Sequence, residues 1–257
     1  MFQAHSFLWH YLWVAPNLLF AVLATLLWKR GLQKKLRGLF IYAWFQAAQC
    51  AVLFPLDHIG AVSSWTYCFI DLMSGVLEFA VVFVLVSDLF AGLFDEYAAL
   101  AQVGRAMLRW AAGLLLIAAV VLGAFAPVES EHWLVGTLEI LQQGMYVIVS
   151  GLLLLLFASA AYFSLAWEHR IFGIALGLGI SSCVHLATWA LEANKVLTEK
   201  ITMLSMANMA TTHIVVLMWF YYLFVPSPSV AKAGEPLADN QLASWNRELE
   251  RLLKPRQ

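Results

Sequence analysis

Polar side chains that can exchange protons or hydrogen bond recur inside the apolar segments of this chain. The segment 180–192, ISSCVHLATWALE, carries Ser181, His185, Thr188 and Glu192 in otherwise apolar sequence. These residues are four, three and four positions apart, so on an α-helix they share one face. The spacing predicts a helix with a polar face in an apolar environment, and such a face needs a polar surface opposite it.

Three carboxyl groups lie in apolar segments that hold no Lys or Arg at the same predicted depth: those of Asp71, Glu78 and Glu139. A charged group is costly in hydrocarbon, so each must be protonated, share a proton with a histidine, contact water or bind a cation. We therefore expect a site to which at least one of them contributes. With the polar faces of the other segments, the candidate ligand-binding residues are Asp71, Glu78, Glu139, His185, His213, Gln49, Tyr146 and Asn208.

Metal, haem and catalytic chemistry are alternatives for the same residues. Two neutral imidazoles on neighbouring helices, such as His185 and His213, can ligate haem iron or a metal ion. Neither histidine has a glutamate three residues before it, and nothing in the sequence marks a porphyrin cavity. Ser181 lies one helical turn from His185, but that spacing is ordinary for helix packing. We predict no cofactor and no catalytic residue, while a metal centre and an intramembrane hydrolase stay open.

The composition predicts the kind of protein that carries these residues. Of 257 residues, 62% are hydrophobic and 12% are charged, whereas soluble domains contain about 25% charged residues. The chain is therefore predicted to be an all-α integral membrane protein, and its net charge of −1 argues against nucleic-acid binding. Three cysteines predict no disulfide framework, and we interpret Cys50 and Cys68 as buried, unbridged residues.

Apolar stretches near the length of a membrane span predict a seven-transmembrane helix bundle. One set of connecting loops carries eight Lys or Arg residues, and the opposite set carries Lys195 and Lys200. The positive-inside rule then places the N-terminus outside and the C-terminus in the cytoplasm, in the plasma (inner) membrane. Trp9 and Trp13 fall in a tryptophan belt at the outer ends. The predicted spans are about 7–28, 38–55, 65–92, 110–126, 134–163, 171–192 and 201–225.

Six of these spans carry one polar stripe, whereas span 110–126 is apolar on every face. Stripes that face one another, with span 110–126 against lipid, would remove the polar groups from hydrocarbon. Polar residues concentrate in the outer halves of the spans, so the pattern predicts a polar pocket that opens outward and is closed inward. Gly173, Gly177 and Ser181, four residues apart, predict a ridge for close helix packing.

The sequence after the last span changes character. Residues 226–238 are rich in Pro, Ser, Ala and Gly and predict a flexible linker. Residues 239–254 predict a cytoplasmic amphipathic helix that lies on the membrane surface or docks a cytoplasmic partner. Its apolar face consists of Leu242, Trp245, Leu249 and Leu252.

Seven spans with an outside N-terminus resemble microbial rhodopsins and other seven-helix receptors in topology. A retinal protein of that kind needs a lysine in the middle of the seventh span, where this chain has Asn208, Met209 and Thr211, with Lys200 at the outer mouth instead. A retinal Schiff base is therefore rejected.

The predicted function is that of a receptor-like membrane sensor. Its pocket would take a small polar or cationic ligand, or protons, and it would signal to a separate cytoplasmic partner through residues 239–254. The alternatives are a proton- or cation-coupled membrane transporter, an intramembrane enzyme and a supporting membrane subunit of a larger complex.

Overall fold

The computed structural model describes residues 6–59, 63–94, 133–162, 167–193 and 201–225, together with isolated positions between 102 and 117 and position 244. This described part is helical and contains no strand. The helices are α1 (Phe7–Lys29), α2 (Arg37–His58), α3 (Ser64–Leu93), α4 (Trp133–Tyr162), α5 (His169–Ala193) and α6 (Ile201–Phe224), with a short 3₁₀ turn at Leu32–Lys34.

All six helices are long and apolar enough to cross a membrane. The chain is therefore a multi-pass membrane protein, as its composition predicts. The helices correspond to six of the seven predicted spans. The predicted span 110–126, the linker 226–238 and the helix 239–254 lie outside the described residues, apart from isolated positions.

One helix end differs from its prediction. The second span was expected to finish near Pro55, but α2 continues to His58. A proline lacks only its own N–H, and its carbonyl still accepts, as the bond of 3.0 Å from Ile59 N to Pro55 O shows. The extra turn adds Asp57 to the helix.

The six helices close into a ring. Each helix from α1 to α5 packs against the next along the chain, α6 packs against α1, and α3 also contacts α5. A closed ring gives every helix an inward face, as the polar stripes require. On the perimeter, large apolar side chains such as Leu18, Leu154 and Ile214 are 62%, 72% and 62% exposed, which suits contact with lipid tails.

Contacts between distant segments define one end of the ring, where α1, α4 and α6 finish. Lys35 Nζ, after α1, lies 2.9 Å from Glu168 Oε1, before α5. The Arg30 guanidinium lies 4.6 Å from the centre of the Phe224 ring at the end of α6. We call this the basic end, because it gathers Lys29, Arg30, Lys34, Lys35, Arg37 and Arg170.

The start of α2 is completed by a residue of α3. No side chain of its own caps α2, but Gly38 N donates to Asp88 Oδ2 over 2.6 Å. A carboxylate there satisfies an N–H that has no partner within the helix and interacts favourably with the helix dipole. Only glycine allows this approach, since a Cβ on Gly38 would lie 2.7 Å from Leu85 Cα. The contact places the last turns of α3 at the basic end.

Two of the three small residues of the predicted ridge on α5 lie in a close helix contact. A Cβ on Gly173 would lie 2.2 Å from Tyr222 Cγ, and one on Gly177 would lie 2.3 Å from Trp219 Nε1. The two glycines therefore let α5 and α6 approach closely, and they seat Trp219 in the interior, where it is 1% exposed.

Candidate ligand-binding site

Two adjoining cavities occupy the end of the ring opposite the basic end. The first, of about 360 Å³, lies mainly between α1, α2 and α3. The second, of about 220 Å³, lies deeper and receives side chains from all six helices. We call them the mouth cavity and the deep cavity. They share the wall residues Trp13, Asn17, Gln46 and Met209.

Hydrogen bonds between α2 and α3 form one wall of both cavities. Gln46 Nε2 donates to Glu78 Oε1 over 2.7 Å. One turn further along α2, Gln49 Nε2 donates to Ser74 Oγ over 3.0 Å, and the Ser74 hydroxyl donates to the Asp71 carbonyl over 2.6 Å. The polar stripes of these two helices therefore face each other, as expected of neighbouring membrane helices.

His185 and Tyr146 form the opposite wall of the deep cavity. Their rings are stacked, with centroids 4.5 Å apart and an interplanar angle of 22°. His185 Nδ1 lies 2.9 Å from the Ser181 carbonyl, which can only accept, so Nδ1 carries a hydrogen. In the neutral ring Nε2 is then a hydrogen-bond acceptor.

An aromatic cluster closes the cavities toward the basic end. Phe20, Tyr42 and Trp219 pack edge-to-face, with ring centroids 5.7, 5.9 and 5.8 Å apart. Tyr42 also lines the deep cavity. We call these three residues the floor. Beyond the floor the interior is apolar, with Leu23 and Leu27 on α1 and Leu39 on α2 at most 1% exposed.

Five of the eight predicted ligand-binding residues line the cavities. Gln49 and Asp71 line the mouth cavity, and Glu78, Tyr146 and His185 line the deep cavity. Side chains from four helices that are distant in sequence thus meet at the two cavities, which together we call the hollow.

The other three predicted residues are placed differently. Asn208 is in the α5–α6 interface, where its Oδ1 accepts from Thr188 Oγ1 over 3.1 Å. His213 lies beside Tyr11 of α1, with ring centroids 5.8 Å apart. Neither is among the residues that line the two cavities. Glu139 is on α4, but its side chain lies outside the described part.

The mouth cavity includes aromatic and acidic residues that the sequence pattern did not indicate as ligand-binding. They are Trp9 on α1, Asp57 on α2 and Tyr67 on α3. A signal for Tyr67 was available, because it lies four residues before Asp71 on the same helix face. Asp57 was missed because the second span was expected to finish near Pro55.

His185 and His213, the two imidazoles considered for haem iron or a metal ion, have different neighbours. In the part of the chain that the structure describes, no three His, Cys, Asp or Glu side chains lie close enough to hold a metal ion. His185 stacks on Tyr146 and His213 packs beside Tyr11, so the two imidazoles do not face each other. Cys50 is buried in the wall of the mouth cavity as a free thiol.

Comparison of the chain with protein-family models, with curated proteins and with solved structures gives no match.

Proposed function

We propose that this chain is a receptor-like seven-helix membrane sensor that binds a small polar or cationic ligand, or protons. The observation that carries the proposal is a polar hollow to which all six described helices contribute, with an aromatic floor and an apolar interior beneath it. Such a site would take up its ligand from one side of the membrane, and the bound ligand would contact several helices.

Seven crossings are supported by the directions of α3 and α4. The Gly38–Asp88 bond holds the end of α3 at the basic end, and the Lys35–Glu168 ion pair holds the segment after α4 there as well. Both helices finish at that end, so a further crossing between them would join the end of α3 to the start of α4. We propose that span 110–126 makes this crossing, so that the termini lie on opposite sides.

The proposed orientation follows from charge. If the basic end lies in the cytoplasm, as the positive-inside rule favours, the hollow opens to the outside of the plasma (inner) membrane. The predicted helix 239–254 then lies in the cytoplasm, where it would contact a partner protein or the membrane surface.

A sensor is favoured over a transporter because of the floor. A carrier needs polar groups that continue beyond the site, whereas Phe20, Tyr42 and Trp219 separate the deep cavity from an apolar interior. In a sensor, the ligand needs only to bind two packings of the bundle with different affinities. Trp219 belongs to the floor and also packs against Gly177 of α5, so a shift of the floor would reach the α5–α6 interface.

Spin labels at the basic end test the proposal. A cysteine-free background with Lys34→Cys and Tyr221→Cys would report the distance between the turn after α1 and the end of α6. Choline, glycerol, acetate and a change of external pH are the probes. We expect at least one of them to change the distance distribution in liposomes without entering them.

A variant with a filled cavity, Ser181→Phe, is the matched control and should abolish the change, because Ser181 lines the deep cavity. Deletion from Pro226 onward should leave the change intact. Uptake of the active probe into the liposomes would favour the transporter, and an equal response in Ser181→Phe would show that the hollow is not the sensing site.

A further inference from the structure

The mouth cavity is lined by aromatic side chains and by carboxyl groups. Trp9 and Trp13 of α1 and Tyr67 of α3 line it together with Asp57 and Asp71. Indole and phenol faces attract cations through the negative face of the ring, and tryptophan does so most strongly. The combination of aromatic faces and carboxyl groups is typical of sites that recognise organic ammonium ions.

Three amide side chains that line the cavities, those of Asn17, Gln46 and Gln49, each donate a hydrogen bond to another group of the protein. Asn17 Nδ2 donates to the Trp13 carbonyl over 2.7 Å. Gln49 must donate to Ser74 Oγ, because the Ser74 hydroxyl hydrogen is engaged by the Asp71 carbonyl. Gln46 donates to Glu78 in the same way. None of these three bonds uses an amide oxygen, and an amide oxygen can accept a hydrogen bond from a ligand.

Other groups in the hollow are acceptors as well. His185 carries its hydrogen on Nδ1, so Nε2 of the neutral ring accepts. The Leu12 carbonyl is a further acceptor at the deep cavity. It receives no hydrogen bond from Pro16 one turn later, because proline has no N–H. No Lys or Arg occurs among the described residues that line the two cavities. Two carboxyl groups in the mouth cavity, Glu78 in the deep cavity and the lack of Lys or Arg among these lining residues favour a ligand with positive charge and hydrogen-bond donors over an anion.

We propose that the hollow binds a small organic ammonium ion, with its positive head against Trp9, Trp13 and Asp71 in the mouth cavity and its remaining atoms toward Glu78 and His185. The inference rests on the proposed ligand-binding function and names the chemical class of the ligand. The volume of the mouth cavity, about 360 Å³, suits a small ligand, because it is near the lower limit of about 300 Å³ for small-molecule pockets.

Calorimetry on the full chain in nanodiscs tests the inference with a matched pair of probes. Choline and 3,3-dimethyl-1-butanol have nearly the same shape, but only choline is charged. We expect choline to bind at least about tenfold more tightly than the neutral alcohol, since only the cation gains from the ring faces and carboxylates. Acetate should not bind.

Substitutions of residues that line the mouth cavity test where choline binds. Trp13→Leu should weaken choline binding by about tenfold, and Asp71→Asn should weaken it as well. Trp28→Leu is the control for loss of a tryptophan, because Trp28 is 62% exposed near the basic end, away from the hollow, and it should leave the affinity unchanged.

The outcomes separate this inference from the proposed function. If the neutral alcohol or acetate binds as tightly as choline and Trp13→Leu weakens that binding, the ammonium inference is wrong while the hollow remains a ligand site. If choline and tetramethylammonium both fail to bind the wild-type chain, the inference is likewise overturned. The spin-label measurement with glycerol, acetate and pH then decides separately whether the chain is a sensor.

Discussion

Replacement of Glu78 tests how the polar wall of the deep cavity is held together. Gln46 Nε2 donates to Glu78 Oε1 over 2.7 Å, and both side chains are at least partly buried. Glu78→Gln keeps an oxygen that accepts from Gln46 and removes an ionisable group from a hydrocarbon-flanked site. We expect the free energy of unfolding to change by less than about 1 kcal/mol or to rise, since loss of an ionisable group with its hydrogen bond retained removes a group that is costly to bury when charged.

Glu78→Leu removes the acceptor and leaves the Gln46 donor without its partner. Gln46 is partly buried in the wall of both cavities, so the loss of stability should be at most about 1–3 kcal/mol, the penalty for a fully buried donor without a partner. The double variant Gln46→Leu with Glu78→Leu removes both partners and should recover part of the loss, which gives a coupling energy of about 1 kcal/mol or more.

Steric-trap unfolding in bicelles measures these free energies. Loss of more than about 3 kcal/mol in Glu78→Gln would mean that the structure requires the carboxylate itself. Additivity of the two leucine variants within about 0.5 kcal/mol would mean that Gln46 and Glu78 do not interact. Either result would refute the reasoning that assigns the wall to this hydrogen bond.

Four single substitutions test residues that do not line the cavities. Asp88→Ala should lower the free energy of unfolding by about 1 kcal/mol, because it removes the acceptor for the first turn of α2. Gly38→Ala should lower it by about 1–3 kcal/mol, because the added Cβ meets the α3 backbone. Steric-trap unfolding measures both, and unchanged stability would contradict the packing of α2 on α3. Gly177→Ala should lower the free energy of unfolding by about 1–3 kcal/mol, because the added Cβ meets Trp219. Unchanged stability would contradict the close contact between α5 and α6. His213→Phe should leave choline affinity in calorimetry unchanged, because the imidazole does not line either cavity, and a clear loss of affinity would place it in the site.

The helices could be predicted from sequence because long apolar runs and 3.6-residue polar stripes are local properties. The stripe on α3 illustrates this, since Asp71 and Glu78 both face the hollow as their spacing indicates. The cross-chain cap of α2 by Asp88 was not predictable, because the two partners are 50 residues apart and only the packing of α3 on α2 brings them together.

The rotation of each helix about its own axis could not be read from the sequence. On α6 the side chains that line the deep cavity are Met209 and Thr212, each next in sequence to a predicted residue. Successive residues on a helix point about 100° apart, so Asn208 turns toward α5 and His213 toward α1. A polar stripe on one helix shows that a shared face exists, while its neighbours decide which edge of that face meets the cavity.

The sequence placed Trp9 and Trp13 at the membrane interface and did not show that they line a cavity. Trp9 and Trp13 fit an interfacial belt by position in the sequence, and the same positions line a cavity once α2 and α3 are packed against α1. Tryptophan suits both environments, since one edge is polar and the ring is apolar.

The most direct test of the central claim uses the native thiol of Cys50, which lies in the wall of the mouth cavity and is 8% exposed. In vesicles of known orientation, with Cys68 and Cys183 replaced by serine, a membrane-impermeant thiol reagent is applied from each side in turn. A variant that adds Leu23→Cys and removes Cys50 is the control, because Leu23 is 0% exposed in the apolar interior beyond the floor. We predict labelling of Cys50 only from the side of the N-terminus and no labelling of the control from either side. Labelling of Cys50 from the side of the basic end, or from neither side, would contradict a hollow that is open to water at one end and closed at the other.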